Sequence, residues 1–200
     1  MASPLLIAAL CMGKRHTRAF LFCFAGMGMC LLSAYLNTFL AALYGADAFA
    51  ATVEIAPVVE EGMKLLPLLF YLLVFEPQAR QIGIAAVITA LSFATFENIC
   101  YLIQNGAAHF SFIFFRGIGT GAMHVICGAI VGGGLAYVWR RTWLKIAGTC
   151  GLLGAAITFH AIYNLLIAYG GTAQYIAYLL PVGILAAGKL IARYLKAEES

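Results

Sequence analysis

"PVVEEGMKLLPLLFYLLVF", residues 57–75, sets two adjacent glutamates and a lysine inside a run that otherwise belongs in oil. Whether that run crosses a bilayer or fills a soluble core decides the fold, and composition answers first. Of 200 residues, 64% are hydrophobic and only 10% charged, against roughly 25% charged in an ordinary soluble domain. Apolar runs long enough to span, about 20 residues each, occupy 18–44, 48–75, 81–104, 112–139, 144–169 and 174–196. The chain therefore reads as an all-α polytopic transmembrane helical bundle of about six spans, forming a single integral membrane domain over residues 1–200. The segment "SPLLIAALCM" ahead of Lys14 is too short to span and has no positive stretch before it. It is expected to lie at the interface or to insert partly, rather than to be a cleaved signal peptide.

Lys plus Arg outnumber Asp plus Glu by 12 to 8, but the cations sit in short loops between apolar runs, so they report orientation and not a nucleic-acid partner. "GKRHTR" (13–18), "EPQAR" (76–80) and "RRTWLK" (140–145) carry positive charge, as does the tail with Arg193 and Lys196. "GADA" (45–48), "QNGAAHFS" (104–111) and "GGTAQ" (170–174) carry no Lys or Arg. The alternation places the basic loops and the C-terminus in the cytoplasm. No loop is long enough for a soluble domain, so the chemistry belongs within the bilayer.

Cysteines are the bland part of the sequence. Cys11, Cys23, Cys30, Cys100, Cys127 and Cys150 lie in apolar runs without C-x-x-C spacing, which points to buried thiols and neither a disulfide framework nor a thiolate metal site. Glycines say more. Gly117, Gly121, Gly128 and Gly132 make two G-x-x-x-G pairs with His124 between them, a face small enough for close helix contact.

The polar residues left inside spans are the remaining question. Glu60 and Lys64 are four apart, the favourable order for a helical ion pair, and Glu61 is three from Lys64. Glu97 shares a line with Phe93, Ala90, Ala86 and Gly83, a mostly small face that should turn inward. His160 and Asn164 are four apart and stack on one helix surface. A lone intramembrane His or Asn is often an interhelical hydrogen bond, Glu60 with Lys64 fits a structural ion pair, and Arg116, Glu54 and Lys189 fit side chains that snorkel to an interface. Yet a charge at mid-span costs on the order of 3 kcal/mol, and a common interior site explains six such residues more economically than six accidents. Counting about 1.5 Å per residue from the neutral ends puts Glu60, Glu97, His124, His160 and Asn164 in one slab roughly 8–18 Å deep. Pro57 and Pro67 add to it, since each leaves the carbonyl four residues earlier, Val53 and Met63, without its helical donor. Such backbone is tolerated only beside protein or water-filled space.

These residues resemble a family. Glu60-Glu61-Gly62-Met63-Lys64 is similar to the E-E-x-x-K motif of the PrsW family of intramembrane proteases, and Phe93 to Glu97 followed by Asn98 to its F-x-x-x-E-N. Arg116 with His124 resembles the family's arginine followed by histidine, and His160 to Asn164 its late H-x-x-x-N. The motifs run in order between residues 57 and 164. The related CAAX prenyl endopeptidases carry E-E-x-x-x-R and F-x-x-x-H instead; Lys64 and Glu97 depart from that pattern and argue against prenylated substrates.

The resemblance implies peptide-bond hydrolysis, which needs an activated water, an oxyanion donor and an acid for the leaving amine. By this analogy Glu60 is the general base, Glu61 pairs with Lys64 or shares a proton, and Glu97 helps hold the water. His160 and Asn164 donate to the oxyanion, and His124 is an orienting group or a metal ligand. No cofactor is expected in the glutamate mechanism placed first, while Glu61, His124 and His160 are side-chain types that suit zinc. Spacing gives no metal signature, because the candidates come from separate helices and there is no H-E-x-x-H. The implied partners are the bilayer and a membrane-anchored protein substrate, with an anti-sigma factor as one substrate class, and the implied location is a bacterial cytoplasmic membrane. Two other classes fit buried carboxylates and histidines: a proton-coupled transporter or channel, and a non-catalytic scaffold, since the same superfamily resemblance extends to a scaffold subunit of gamma-secretase. Flux without peptide products marks the first, a lost partner complex the second, and a new substrate terminus the protease.

Overall fold

The computed structural model describes residues 14–106 and 110–198. The expectation for the segment ahead of Lys14, and for Cys11 within it, lies outside the described residues. Helix α1 runs Lys14–Tyr44, and a tight turn through Gly45 leads to a one-turn helix α2, Ala48–Ala50. Asp47 caps α2, its carboxylate accepting from the Ala50 N–H at 2.8 Å. A π-helical segment, Ala51–Ile55, joins α2 to α3, Ala56–Phe75. Then follow α4, Ala79–Asn105; α5, Phe110–Val138; a 3-10 turn, Thr142–Leu144; α6, Lys145–Tyr169; and α7, Gly171–Glu198.

Among the described residues, five helices are long and apolar enough to cross a membrane: α1, α4, α5, α6 and α7. Helix α3 has spanning length, 20 residues or about 30 Å, and differs from them by carrying Glu60, Glu61 and Lys64. Its outer face, with Leu66, Phe70 and Leu73 exposed, is apolar, and its inner face buries Leu65, Leu68 and Leu72. That is the pattern of a helix between lipid and protein, and it makes α3 the sixth member of the bundle.

Close packing centres on α4 and α5. A Cβ on Gly128 would lie 2.7 Å from that of Ala90 and 3.0 Å from the Ala86 carbonyl; one on Gly132 would meet the Cβ of Ala86 at 2.5 Å. The small face of α4 ending at Glu97 thus receives the second G-x-x-x-G pair of α5, as the sequence predicts. The first pair behaves differently, for nothing stands within 4 Å of a Cβ on Gly117 or Gly121. Gly119 makes the close contact there, with the Tyr178 Cα of α7 2.9 Å from its Cβ position. Among the described cysteines, all free thiols, Cys30 and Cys127 are buried as expected, Cys23 and Cys100 are half-buried, and Cys150 is exposed.

Candidate active site

Five helices bring polar side chains to one place. Glu60, Glu61 and Lys64 come from α3, Glu97 from α4, Arg116 and His124 from α5, His160 and Asn164 from α6. The fifth contributor, α1, supplies Asn37, whose Nδ2 donates to Glu60 Oε1 at 3.3 Å. The sequence reading did not include Asn37, although a polar residue inside the apolar run "AYLNTFL" (34–40) was the signal that could have found it.

Lys64 pairs with Glu61 and not with Glu60. Its Nζ donates to Glu61 Oε1 at 2.6 Å and lies 2.8 Å from His124 Nδ1. An ammonium only donates, so His124 Nδ1 accepts. Its Nε2 then carries the ring proton and donates to Glu97 Oε2 at 2.7 Å. Arg116 continues the chain to Glu97 Oε1 at 3.4 Å and stacks over the Tyr101 ring at 3.6 Å. With its side chain 16% exposed it faces the site, not an interface, so snorkelling does not describe it. Glu54 is exposed, as a side chain reaching the interface should be.

His160 is held from the other side of the same pair. Its Nδ1 lies 2.8 Å from Glu61 Oε1 and its Nε2 lies 3.8 Å from Glu60 Oε2. Glu61, already tied to Lys64, accepts from Nδ1–H, so the neutral ring presents the Nε2 lone pair towards Glu60. In that tautomer His160 accepts; donation to an oxyanion requires the ring to carry both protons. Glu61 and Lys64 are buried, and the two histidine rings stand edge to face with centroids 5.0 Å apart. The outcome is a buried charged pair, Glu61 with Lys64, with a histidine on each member, backing a second layer that meets open space. Breaking such a pair strands a charge, and two further helices hold it, α5 through His124 and α6 through His160.

That open space is a cavity of about 660 Å³ lined by Asn37, Glu60, Glu97, Arg116, His160 and Asn164 among others. Ala46, Asp47 and Ala48 also line it, so it lies towards the end of the bundle that carries the 45–48 turn, which has no Lys or Arg. Asn164 sits on its wall with Nδ2 donating to the Thr52 carbonyl at 2.9 Å. All seven sequence-derived site residues, Glu60, Glu61, Lys64, Glu97, His124, His160 and Asn164, are therefore drawn into one hydrogen-bonded cluster and its adjoining cavity wall.

A metal would find a different donor set from the one the sequence suggested. Glu60, His124 and His160 each offer a ligand atom, all within 4.8 Å of one another. Glu61 is replaced by Glu60 because its own carboxylate is committed to Lys64 and to His160 Nδ1. Two imidazoles and a carboxylate form a donor set used by catalytic zinc sites, and a carboxylate behind a ligating imidazole is the usual support. The residues fit on type and spacing, with one condition: both His124 ring nitrogens already have partners, Lys64 at Nδ1 and Glu97 at Nε2, and one of these contacts has to give way.

A family model described as "PrsW family intramembrane metalloprotease" matches residues 14–187. No curated protein and no solved structure matches the chain. The match takes in α1 with Asn37, every motif between residues 57 and 164, and the start of α7, and the chain belongs to the PrsW family of intramembrane proteases.

Proposed function

We propose that the protein is an endopeptidase that cuts a membrane-tethered protein with water activated by Glu60. One observation carries this reading. Glu60 Oε2 and His160 Nε2 face each other 3.8 Å apart on the wall of the cavity, and with Glu60 ionised and the His160 proton on Nδ1 both accept. A single water can give one hydrogen bond to each at ordinary lengths. Glu60 then takes a proton as the water oxygen bonds to the scissile carbon, and the carbonyl π electrons move to oxygen. When the C–N bond breaks, Glu60 returns that proton to the departing nitrogen, leaving a carboxyl and an amine. A donor for the developing oxyanion stands nearby in the guanidinium of Arg116, a cavity-lining residue. His124 and Glu97 serve behind them, with Lys64 and Arg116 balancing the carboxylates.

The Glu60, His124 and His160 cluster favours a second reading, in which these three hold a metal. When bound, the metal would supply a Lewis acid that polarises water or the peptide carbonyl.

The cavity opens towards the 45–48 turn, opposite the basic 76–80 and 140–145 loops. With those loops and the C-terminus cytoplasmic, substrate reaches the site from the outer side of a bacterial cytoplasmic membrane. The cut then falls in the outer part of a span or just beyond it, and an anti-sigma factor is a fitting substrate class.

The decisive experiment is purified protein with a membrane-tethered substrate and mass spectrometry of the products. A new terminus that is absent with Glu60→Gln is expected; cleavage at the wild-type rate by that variant would overturn Glu60 as the base. Full activity in exhaustively chelated protein supports the metal-free form, whereas stoichiometric zinc whose removal and return switch activity off and on would select the second reading. A cysteine at Ala46, in a background without native cysteines, should react with an impermeant reagent from outside; reaction from the cytoplasmic side alone would invert the sidedness.

A further inference from the structure

The stretch from residue 48 to 75 is not one uniform helix. Over Ala51–Ile55 its hydrogen bonds reach back five residues, so the Ala56 N–H goes to the Ala51 carbonyl. This leaves the Thr52 carbonyl without Ala56, its donor in an α-helix. In the wider register its donor would be the N–H of residue 57, and residue 57 is proline, which has none. The same ring would collide with the carbonyl of Val53 in an α-helix, so the wider turn relieves one consequence of Pro57 and creates another. The sequence alone had named Val53 as the orphan; the π turn adds Thr52. The Thr52 hydroxyl is turned away and donates to the Ala48 carbonyl at 2.8 Å. What reaches the Thr52 carbonyl is Asn164 Nδ2, at 2.9 Å and 112 residues along the chain.

We propose that Asn164 is a positioning residue that supplies the N–H missing at Pro57, latching α6 to the π turn and so fixing Glu60 opposite His160. Asn164 stands one helical turn from His160, and Thr52 two turns from Glu60, so the latch closes a frame with those two side chains at its other corner. Its leverage comes from register. Exchanging a π turn for an α turn rotates the helix beyond it by about 100° relative to the residues before it, enough to turn Glu60 off the cavity or to shift the 45–48 end. This role deepens the proposed protease reading for its activity arm only, since the latch itself is a contact that can be tested without a substrate.

The test is a two-residue cycle in the full-length protein. Asn164→Leu removes the donor at similar size, and Pro57→Ala returns an N–H to residue 57. Hydrogen–deuterium exchange of the peptide covering residues 48–60 is expected to speed up by roughly 10-fold in Asn164→Leu and to return to the rate of Pro57→Ala in the double variant, as local opening is relieved. Turnover of the tethered substrate should fall roughly 100-fold in Asn164→Leu, the scale of a misplaced reacting group, mostly in kcat, and recover at least 10-fold in the double variant. Losses that simply multiply, in exchange and in turnover, would overturn the latch. Exchange that is rescued while turnover is not would overturn positioning and leave Asn164 an oxyanion donor. A wild type that cuts nothing would count against the protease reading, and the exchange cycle would still judge the latch. If Asn164→Leu does not accumulate, the double variant decides: accumulation supports the latch and failure overturns it.

Discussion

Helix α5 carries the same small-residue spacing twice, and the two copies meet opposite surroundings. Around Gly128 and Gly132 the bundle is shut, with α4 so near that a methyl group would strike Ala90 or Ala86. Around Gly117 and Gly121 there is open space within 4 Å. His124 lies between them, and at its level the bundle changes from dry contact to a charged cluster beside a cavity of about 660 Å³. Small side chains permit close approach without compelling it. What holds α3, α5 and α6 at the upper level is the chain of bonds from His160 through Glu61, Lys64 and His124 to Glu97, and charged groups with fixed bond lengths keep helices at a set distance. The lower half carries the fold and the upper half carries the chemistry.

That division can be broken experimentally, starting where the effect is largest. Glu60→Gln keeps shape and removes the base, so cleavage should drop by about 10⁴-fold or more while the melting temperature in detergent stays near wild type. A large thermal loss would show Glu60 to be part of the scaffold. Lys64→Met acts at the boundary between halves: Glu61 remains buried on His160 without its cation, at a cost of about 3–5 kcal/mol, and both stability and turnover should fall. Adding Glu61→Gln removes the stranded charge, so thermal melts should recover in part while turnover does not; melts unchanged by Lys64→Met would make the pair dispensable.

In the lower half the expected losses are structural. Gly128→Val overpacks the α4 contact and should cost about 1–3 kcal/mol in melts, with the activity of the surviving folded protein near normal. Asn37→Leu, back in the upper half, withdraws the one amide on Glu60 from α1; turnover should fall roughly 10-fold, the worth of a hydrogen bond to a charged group, with little thermal change. Smallest of all is Gly121→Ala, which enters open space and improves helix propensity by up to about 1 kcal/mol. A loss at Gly121 as large as that at Gly128 would erase the contrast between the two glycine pairs.

The contrast also marks where the sequence could be read. The glycine and alanine face joining Gly83, Ala86 and Ala90 to Gly128 and Gly132 was legible because helical periodicity alone lines it up, and the packing followed. Lys64 with either glutamate was equally allowed by spacing, since three and four residues apart both face each other on a helix. The choice of Glu61 came from His160 and His124, which approach from α6 and α5. Asn37 stands out in its apolar run as a polar residue, but its partner Glu60 lies on another helix, and only the packing of α1 against α3 brings the two together. The place of Arg116 near a helix end fits an interfacial side chain, and Glu97 and Tyr101 of α4 hold it in the site instead.

By itself, then, the sequence determined the membrane as solvent, the long helices, the level at which polar groups gather, and seven of the side chains that meet there. Those properties are one-dimensional: hydropathy sets the spans, and the 3.6-residue turn sets which residues share a face. Tertiary structure decided which carboxylate faces the cavity, which partner stands at each histidine nitrogen, and that Glu60 and not Glu61 joins the two histidines. It also decided that Pro57 is answered by a π turn and an asparagine 112 residues away from Thr52. Each of these depends on distances between helices that have no fixed spacing along the chain, and a bond of 2.6–2.9 Å is too short-ranged for any periodicity to specify.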